Sequence, residues 1–396
     1  MHTFFYLGIA MVAGLVLSRV VKKLRLPNVT GYLIAGLLIG PCVLGLVPQA
    51  ALDKLNIITT IALGFIAFSI GNEFRLSQLK KTGKQAMVIG VLQALAALAF
   101  VDIALVIFHF LRPDVLSVPA AITLGAIATA TAPATTLMVV RQYKAKGELT
   151  NTLLPVVAMD DAVGLIVFAV SSAIADTLAS GVQPSVYTMA VAPLIEIALS
   201  LLSGGLLGFL ISLSMRFFHS RANKMCICIA GVVLGVAIAQ QFGLSDLLVC
   251  MSVGAVFANL RNDALEVMDV CDGWTPPLFM LFFVISGAEL DVGALPTVGL
   301  LGVLYIVVRS FGKYFGAYLG SVVVKASPNI RKYLGITLLP QAGVAIGMAQ
   351  RVLTQLPQFG ARIQAVVLSA TLIYELVGPV ATKIALTKAG EIQGAK

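Results

Sequence analysis

The chain has 396 residues, of which 59% are hydrophobic and 11% are charged, with a mean hydropathy of +0.99 and a net charge of +9. A soluble domain carries about 25% charged residues, so this composition excludes a soluble protein and indicates an integral membrane protein. The apolar runs are too long for barrel strands, which predicts an all-helical membrane protein. The basic residues fall in short loops, where they indicate membrane topology and not nucleic-acid binding.

Thirteen apolar segments are predicted along the chain, and crossing a bilayer takes roughly 20 such residues. The first segment lacks a basic leading region and a small-residue cleavage site, so it is expected to be a retained helix. The loops between segments are short, and no soluble domain is expected between them. The segments are predicted near residues 3–20, 29–47, 55–72, 85–111, 117–141, 151–177, 188–218, 223–242, 245–260, 275–290, 296–324, 331–354 and 361–386.

Lysine and arginine residues collect in alternate loops. If the N-terminus lies outside the cell, 21 of the 27 basic residues fall on the inner side and 4 on the outer side, while Arg309 and Lys313 remain within a segment. Such a bias sets the orientation of helical membrane proteins. The sequence therefore predicts an external N-terminus and a cytoplasmic C-terminus.

An internal repeat relates the two halves of the chain. Phe68–Phe74 ends the third segment, and the similar run Val284–Leu290 ends the tenth. Two segments after each comes a helix interrupted by a proline, Pro133 in the first half and Pro340 in the second. The offset of seven segments is odd, so the halves have opposite orientations, a pattern that points to the site of a secondary transporter. We therefore predict about 13 transmembrane helices in inverted-topology repeats, with two broken helices that cross at mid-membrane.

Buried charges cluster at one depth. Asp160 and Asp161 are adjacent within the sixth segment, although an ionised aspartate at a helix centre costs about 2.5–3.5 kcal/mol. With a rise of about 1.5 Å per residue from the inner ends, five features lie roughly 12–17 Å deep, close to the middle of a hydrocarbon core of about 30 Å. These features are Asp160, Pro133, Pro340, Lys313 and Glu375.

Their chemistry predicts a site for a cation or a proton. Lys313 is expected to pair with Asp160 or Asp161, or to lose its proton. Arg309 lies one helical turn away and is expected to pair with Glu375 or another acid, or to act electrostatically. Unwound backbone offers carbonyl oxygens to a hard cation, and threonine hydroxyls add more ligands.

Each of two other acids has two alternative roles at this point, and an intramembrane protease remains open as another class of protein. Asp102 and Glu196 lie nearer the outer ends of their segments, where they either line an outer funnel or are interface acids without a role. An intramembrane aspartyl protease also buries two aspartates, but it needs them on different helices and the Gly-x-Gly-Asp motif is absent. A channel is disfavoured because broken helices and a lone lysine suggest a closed exchange site.

Four motifs together resemble the bacterial monovalent cation:proton antiporters. The motifs are Ala126–Pro133, the pair Asp160–Asp161, Gly312-Lys313 and Leu339–Gly343. The NapA-like sodium/proton antiporters are the most similar branch, and the Kef-like potassium antiporters come next. The resemblance covers essentially the whole chain, and it is the order and spacing of the set that make it specific.

The resemblance implies a domain organisation. Residues 1–81 and 222–295 would form a dimerisation or scaffold domain, residues 82–178 and 296–390 a core ion-transport domain, and residues 188–218 a linking helix. It also implies a homodimer in which the core domain moves in an elevator-like manner.

The resemblance also assigns site residues. The cation-binding aspartate of the family falls on Asp161, its partner on Asp160, and the family's lysine on Lys313. Na⁺ would be bound by Asp160, Asp161 and Thr131. Ala132 stands where many members have an aspartate, which removes one polar ligand. The residues expected to support the broken-helix crossing are Thr129, Thr131, Ala132, Pro133, Pro340, Gln341 and Glu375.

The predicted function is exchange of Na⁺ for H⁺ by alternating access in a bacterial inner membrane, electrogenic through two carboxylates and a lysine. Such a protein is a transporter and not an enzyme, and it needs no cofactor beyond the Na⁺ and H⁺ that it carries. Two alternatives stay open, a K⁺/H⁺ antiporter of the Kef-like type and a Na⁺-coupled transporter of organic anions with a similar fold.

Overall fold

The computed structural model describes residues 3–24, 26–72, 74, 76–180, 191–261, 263–290 and 294–392, and these residues form helices and their connections. Within these ranges lie fifteen helices: α1 (Thr3–Lys23), α2 (Asn28–Ile39), α3 (Gln49–Asn72), α4 (Leu76–Leu111), α5 (Val118–Ala128), α6 (Pro133–Gln142), α7 (Glu148–Ser180), α8 (Ala192–Ser214), α9 (Arg221–Phe242), α10 (Asp246–Leu260), α11 (Ala264–Ala288), α12 (Ala294–Val323), α13 (Pro328–Thr337), α14 (Gly343–Gln355) and α15 (Pro357–Lys388).

Each predicted apolar segment coincides with a helix or with a pair of helices. The fifth segment is α5 and α6, and the twelfth is α13 and α14, so both predicted interruptions are present. The helix of the tenth segment, α11, begins earlier than the predicted residue 275. The Pro276-Pro277 pair lies inside this helix and not at its start. In the described part of the chain, nine helical spans are long and apolar enough to cross a membrane, or ten if the bent α11 is one span. The figure of thirteen crossings stays a prediction.

The chain divides into two compact units. Unit 1 comprises Met1–Gly83 and Ile195–Glu289, and unit 2 comprises Lys84–Leu194 and Leu290–Lys396. The predicted linking helix corresponds to α8, most of which belongs to unit 1, while residues 181–190 before it lie outside the described part. The roles of dimerisation and ion transport stay predictions.

In unit 1, the glycines of the internal repeat mark two close helix crossings. A Cβ on Gly71 of α3 would lie 2.0 Å from the carbonyl oxygen of Met251 on α10. A Cβ on Gly287 of α11 would lie 2.3 Å from the carbonyl oxygen of Leu33 on α2. Only glycine lets the two backbones approach this closely, which explains the small residue at the same place in both repeats.

In unit 2, glycines bring α4 and α12 together. A Cβ on Gly316 would lie 2.6 Å from the Cα of Gln93, and one on Gly312 would lie 2.9 Å from the Cα of Ala97. An apolar core formed by α4, α5, α7, α12, α14 and α15 packs next to this contact. This packing fixes the position of the polar side chains of α4 and α12 inside the unit.

Candidate functional site

Two broken helices cross inside unit 2. Residues 129–132 separate α5 from α6, and residues 338–342 separate α13 from α14. Pro133 occupies the first position of α6, where its missing N–H costs no helical hydrogen bond. The main-chain N–H of Ala132 donates to the carbonyl oxygen of Pro340 over 2.9 Å. The predicted crossing of two interrupted helices is thus confirmed, and it is joined by a backbone hydrogen bond.

Arg309 of α12 binds both interruptions. Its guanidinium group donates to the carbonyl oxygens of Ala128 over 3.0 Å, Ala130 over 2.6 Å and Leu339 over 2.8 Å. It is fully buried and lies 4.4 Å from the centre of the Tyr374 ring. Carbonyls at the C-terminal end of a helix carry partial negative charge. One arginine therefore offsets the charge of both broken helices.

These contacts correct two expectations from the sequence. Arg309 binds main-chain carbonyls and not Glu375, because it reaches both breaks where free carbonyls converge. The carbonyls expected to serve a cation already accept from basic side chains, since Lys313 donates to the carbonyl oxygen of Thr129. A cation at this crossing must therefore either displace one of two fixed positive charges, those of Arg309 and Lys313, or bind beside them.

The ammonium group of Lys313 lies next to Asp160. Its Nζ donates to Asp160 Oδ2 over 2.8 Å, and neither side chain has any exposed surface. The Lys313 ammonium also donates to the Thr131 hydroxyl over 2.9 Å, and that hydroxyl donates to Asp160 in turn. Of the two aspartates expected to pair with Lys313, Asp160 does so. Asp161 follows in α7, and its side chain lies outside the described part of the structure.

Gln93 of α4 completes this cluster, although the sequence analysis did not identify it. Its Nε2 donates to Asp160 Oδ1 and to the carbonyl oxygen of Gly90, and its Oε1 accepts from Lys313 over 2.7 Å. The side chain is fully buried. The amide orientation is fixed, with its oxygen on the lysine and its nitrogen on the aspartate. The only signal in the sequence was a lone amide within an apolar run.

Gln341 and Glu375 lie on other parts of the crossing. The amide of Gln341 donates to the carbonyl oxygen of Ile127 over 3.0 Å and to the hydroxyl of Tyr305 over 3.0 Å, which ties the second break to α5. The carboxylate of Glu375 on α15 accepts from the hydroxyl of Thr135, which lies 2.9 and 2.8 Å from its two oxygens. Glu375 therefore contacts α6 directly.

Asp102 and Glu196 lie in different units of the chain. Asp102 of α4 packs against α5, where a Cβ on Gly125 would lie 1.8 Å from its Oδ1. Glu196 belongs to α8 in unit 1. Their roles stay open.

The side chains of Asp160, Thr131, Gln93 and Lys313 form one buried polar cluster around the Asp160 carboxylate. The carboxylate oxygens and the threonine hydroxyl are the kinds of ligand that hard cations prefer. Asp160 already accepts from three donors, and one of them is charged. An incoming cation must therefore displace the lysine ammonium to reach the carboxylate.

Comparison with known proteins gives consistent matches. The model of the transmembrane sodium/hydrogen exchanger family matches residues 7–388. Cation/H⁺ antiporter 17 of Arabidopsis thaliana is 24% identical over 332 residues, which cover 78% of this chain and 38% of that protein. The high-affinity Na⁺/H⁺ antiporter NhaS3 of Synechocystis is 25% identical over 377 residues, covering 84% and 78% of the two chains. The chain spans less than half the length of the Arabidopsis relatives it matches.

The fold also matches a solved structure. The sodium proton antiporter MjNhaP1 from Methanocaldococcus jannaschii at pH 8 superposes with a TM-score of 0.75 at 20% sequence identity, over 99% of both chains. At this level of identity the likeness concerns the fold.

Proposed function

The chain belongs to the sodium/hydrogen exchanger family, a family of membrane transporters, and from this premise we propose that it exchanges Na⁺ for H⁺ across the membrane by alternating access. Relatives named as Na⁺/H⁺ antiporters support Na⁺ as the cation, with K⁺ as the alternative to be tested beside it. The ion would bind at the broken-helix crossing of unit 2.

The observation that carries the proposal is the ion pair between Asp160 and Lys313. Both side chains are buried, and Lys313, at 2.8 Å, is the one positive partner of the carboxylate among the described residues. Removing one partner of a buried pair leaves an uncompensated charge, which costs about 3–5 kcal/mol. Na⁺ carries the same charge as the ammonium group and can replace it beside Asp160. The displacement takes the lysine away from the Asp160 carboxylate, which favours release of its proton.

Asp161 supplies the second carboxylate in this scheme. By its position in the family's motif it would ligate Na⁺ directly, with Asp160 and the Thr131 hydroxyl beside it. Two carboxylates and one lysine can release two protons for one Na⁺, so exchange would move net charge. Such a stoichiometry lets the membrane potential drive Na⁺ out of the cell and supports a role in pH homeostasis.

The setting of this exchange is also proposed. We assign unit 2 to the transport domain that carries the ion in an elevator-like movement, and unit 1 to a scaffold through which two copies form a homodimer. The protein would lie in the inner membrane of a bacterium, with its N-terminus outside and its C-terminus in the cytoplasm. The charge distribution of the loops supports that orientation.

The direct test is Na⁺-driven proton movement in proteoliposomes. Asp161→Asn is expected to abolish exchange, whereas Asp176→Asn, which alters an exposed acid on the same helix α7, should leave it intact. Undiminished exchange by Asp161→Asn would refute the assignment. Lys313→Ala is expected to reduce charge movement more than exchange itself. Direct uptake of Na⁺, of K⁺ and of labelled organic anions in the presence of Na⁺ by the wild-type protein decides between the proposed ion and its alternatives.

A further inference from the structure

Glu375 is a buried acid that the proposed exchange does not use. It lies in the middle of α15 and is 4% exposed. Its carboxylate is hydrogen-bonded to Thr135 of α6. A hydroxyl group has one proton, so Thr135 can satisfy only one of the two oxygens at a time.

The helices packed against α15 provide no counter-charge for this acid. Among the described residues Glu375 forms no ion pair within 4.0 Å, because Arg309 is directed to main-chain carbonyls and Lys313 to Asp160. The helices that pack on α15 are α5, α6, α12, α13 and α14. None of them carries an acidic residue, α5 carries no ionisable residue, and the basic residues of the others are Arg141, Arg309, Lys313, Arg331, Lys332 and Arg351.

An ionised Glu375 would therefore be a buried charge without a partner. Such a charge is penalised by several kcal/mol, and the favourable field at the N-terminus of α6 offsets up to about 2 kcal/mol of that. A metal ion is a poor alternative occupant, because the site offers one carboxylate and one hydroxyl where hard cations take six or more oxygen ligands. A proton satisfies the carboxylate without any further ligand.

A polar stripe on α15 connects this acid with the rest of its helix. Thr371 lies one turn before Glu375 and Thr382 two turns after it, so the three side chains share one face. Both threonines are almost completely buried, and their hydroxyls have no hydrogen-bond partner among the described residues. Pro379 cannot donate to the main-chain carbonyl of Glu375, which leaves another acceptor on the helix. Buried polar groups of this kind usually bind water.

We propose that Glu375 is a second proton-binding site of unit 2, distinct from the Asp160–Lys313 pair, which exchanges its proton with water held along the Thr371–Thr382 face of α15. The proton leaves the carboxyl oxygen for that water when Na⁺ binds, and it returns from the same route when Na⁺ is released. The two sites are linked through one broken helix, since Thr131 contacts Asp160 and Thr135 contacts Glu375. The coupling to Na⁺ rests on the proposed function, whereas the proton site itself does not.

Infrared difference spectroscopy of the purified protein tests the proton site without any transport. Wild type is expected to show the carbonyl band of a protonated carboxyl group at neutral pH, which disappears on alkaline titration and on addition of Na⁺. Glu375→Gln should lack that band, and Ser369→Ala, which removes a buried hydroxyl off the stripe on the same helix, should retain it. A spectrum of Glu375→Gln identical to that of wild type at every pH overturns the proposal.

Transport by the same variants tests the coupling. Glu375→Gln is expected to move fewer protons for each Na⁺, as measured from the reversal potential in proteoliposomes, and the Thr371→Val/Thr382→Val double variant is expected to slow exchange severalfold at unchanged Na⁺ affinity. An unchanged proton ratio and pH profile in Glu375→Gln would contradict a carrying role. If wild type failed to exchange Na⁺ at all, the proposed function would fall, while the infrared titration would still decide whether Glu375 holds a proton.

Discussion

Gln93 is a neutral side chain that stabilises the ion pair of Asp160 and Lys313, with which a cation would compete. It holds both members of the Asp160–Lys313 pair through one amide of fixed orientation. Hydrogen bonds to charged groups contribute about 1.5–3 kcal/mol each. In the proposed exchange Na⁺ separates this pair when it binds, so the amide would stabilise the state without Na⁺.

Replacing Gln93 by leucine is therefore expected to tighten Na⁺ binding. The hydrogen bond from Lys313 to the amide belongs to the Na⁺-free state, and its loss corresponds to a roughly tenfold lower apparent Kd. Isothermal titration of the purified protein at fixed pH measures the change. Thr177→Val on α7, whose hydroxyl bonds the Ala173 carbonyl of its own helix, is the control. Weaker Na⁺ binding by Gln93→Leu would mean instead that the amide oxygen is a ligand of the ion.

Arg309 donates to free carbonyls of both broken helices, whereas Lys313 donates to a carbonyl of the first one only. Arg309→Met is expected to lower the melting temperature strongly, because three main-chain carbonyls at two helix ends lose their donors. Arg309→Lys keeps the charge but lacks the planar fork, so it should lie between Arg309→Met and wild type. Thermal unfolding in detergent provides the measurement, with the exposed Arg112→Met as control. A melting temperature of Arg309→Met equal to that of wild type would rule out this role.

Helix α7, which carries Asp160, is capped by a residue that follows α15. The carboxylate of Glu391 accepts from the main-chain N–H groups of Leu149 over 2.6 Å and Thr150 over 2.8 Å. A carboxylate at this end of a helix offsets both the unpaired N–H groups and the helix dipole. The contact leaves no room at Gly147, where a Cβ would lie 2.3 Å from Glu391 Oε1.

A double-mutant cycle tests this cap. Glu391→Ala is expected to cost about 0.5–2 kcal/mol of stability, as other capping substitutions do. Gly147→Ala should also destabilise, because its methyl group displaces the carboxylate. The two effects should be less than additive, since removing Glu391 makes room for the methyl group. Chemical or thermal unfolding of the four proteins gives the coupling, and strict additivity would show that the two residues do not act through one contact.

In unit 1, Asp263 at the start of α11 predicts a pH dependence of stability. The hydrogen bond from Arg261, assisted by Lys224, holds the pKa of Asp263 well below its usual range. A carboxylate with a lowered pKa in the folded state stabilises it above the unfolded pKa, about 3.9, and this contribution is lost as pH falls through the lower folded value. Asp263→Asn should thus lower the melting temperature at pH 7, with a difference that shrinks below about pH 4. A difference that stays constant with pH would exclude this ionic origin.

The helix interruptions and the buried charges could be predicted from the sequence, because each carries a local signal. The prolines marked both interruptions, and the rarity of charges inside apolar runs singled out Asp160, Lys313 and Arg309. Gln93 and the true partners of Arg309 were missed, because those contacts join residues at least 30 positions apart and depend on how the helices pack. A neutral amide in an apolar run gives no periodicity or charge signal that distinguishes a site residue from a satisfied core residue.

For the whole molecule, the inverted repeat shows itself in packing as well as in sequence. The glycine of the first repeat, Gly71, packs against α10 from the second half, and the glycine of the second repeat, Gly287, packs against α2 from the first half. Each half therefore supplies the surface on which the other half's repeat packs. This reciprocity is what a pseudo-two-fold relation between the two halves produces.

The same inversion makes the orientation of the chain in the membrane testable. The 21 basic residues assigned to inner loops are expected to keep those loops in the cytoplasm, since positively charged loops are retained there. Lys146, between α6 and α7, is exposed and is assigned to the inside, whereas Arg112, just after α4, is exposed and assigned to the outside. The two positions lie on either side of the α5–α6 broken helix, so they should face opposite compartments.

Single cysteines at these positions decide the question. In a background in which the exposed Cys42 and Cys226 are replaced by serine, Arg112→Cys should react with a membrane-impermeant maleimide in intact cells. Lys146→Cys should react only after the membrane is permeabilised. The opposite pattern would place the C-terminus outside and reverse the direction in which the proposed exchanger faces. Labelling of both positions in intact cells would mean that α5 and α6 do not together cross the membrane, and the broken-helix crossing could not then serve as a gated site between two compartments.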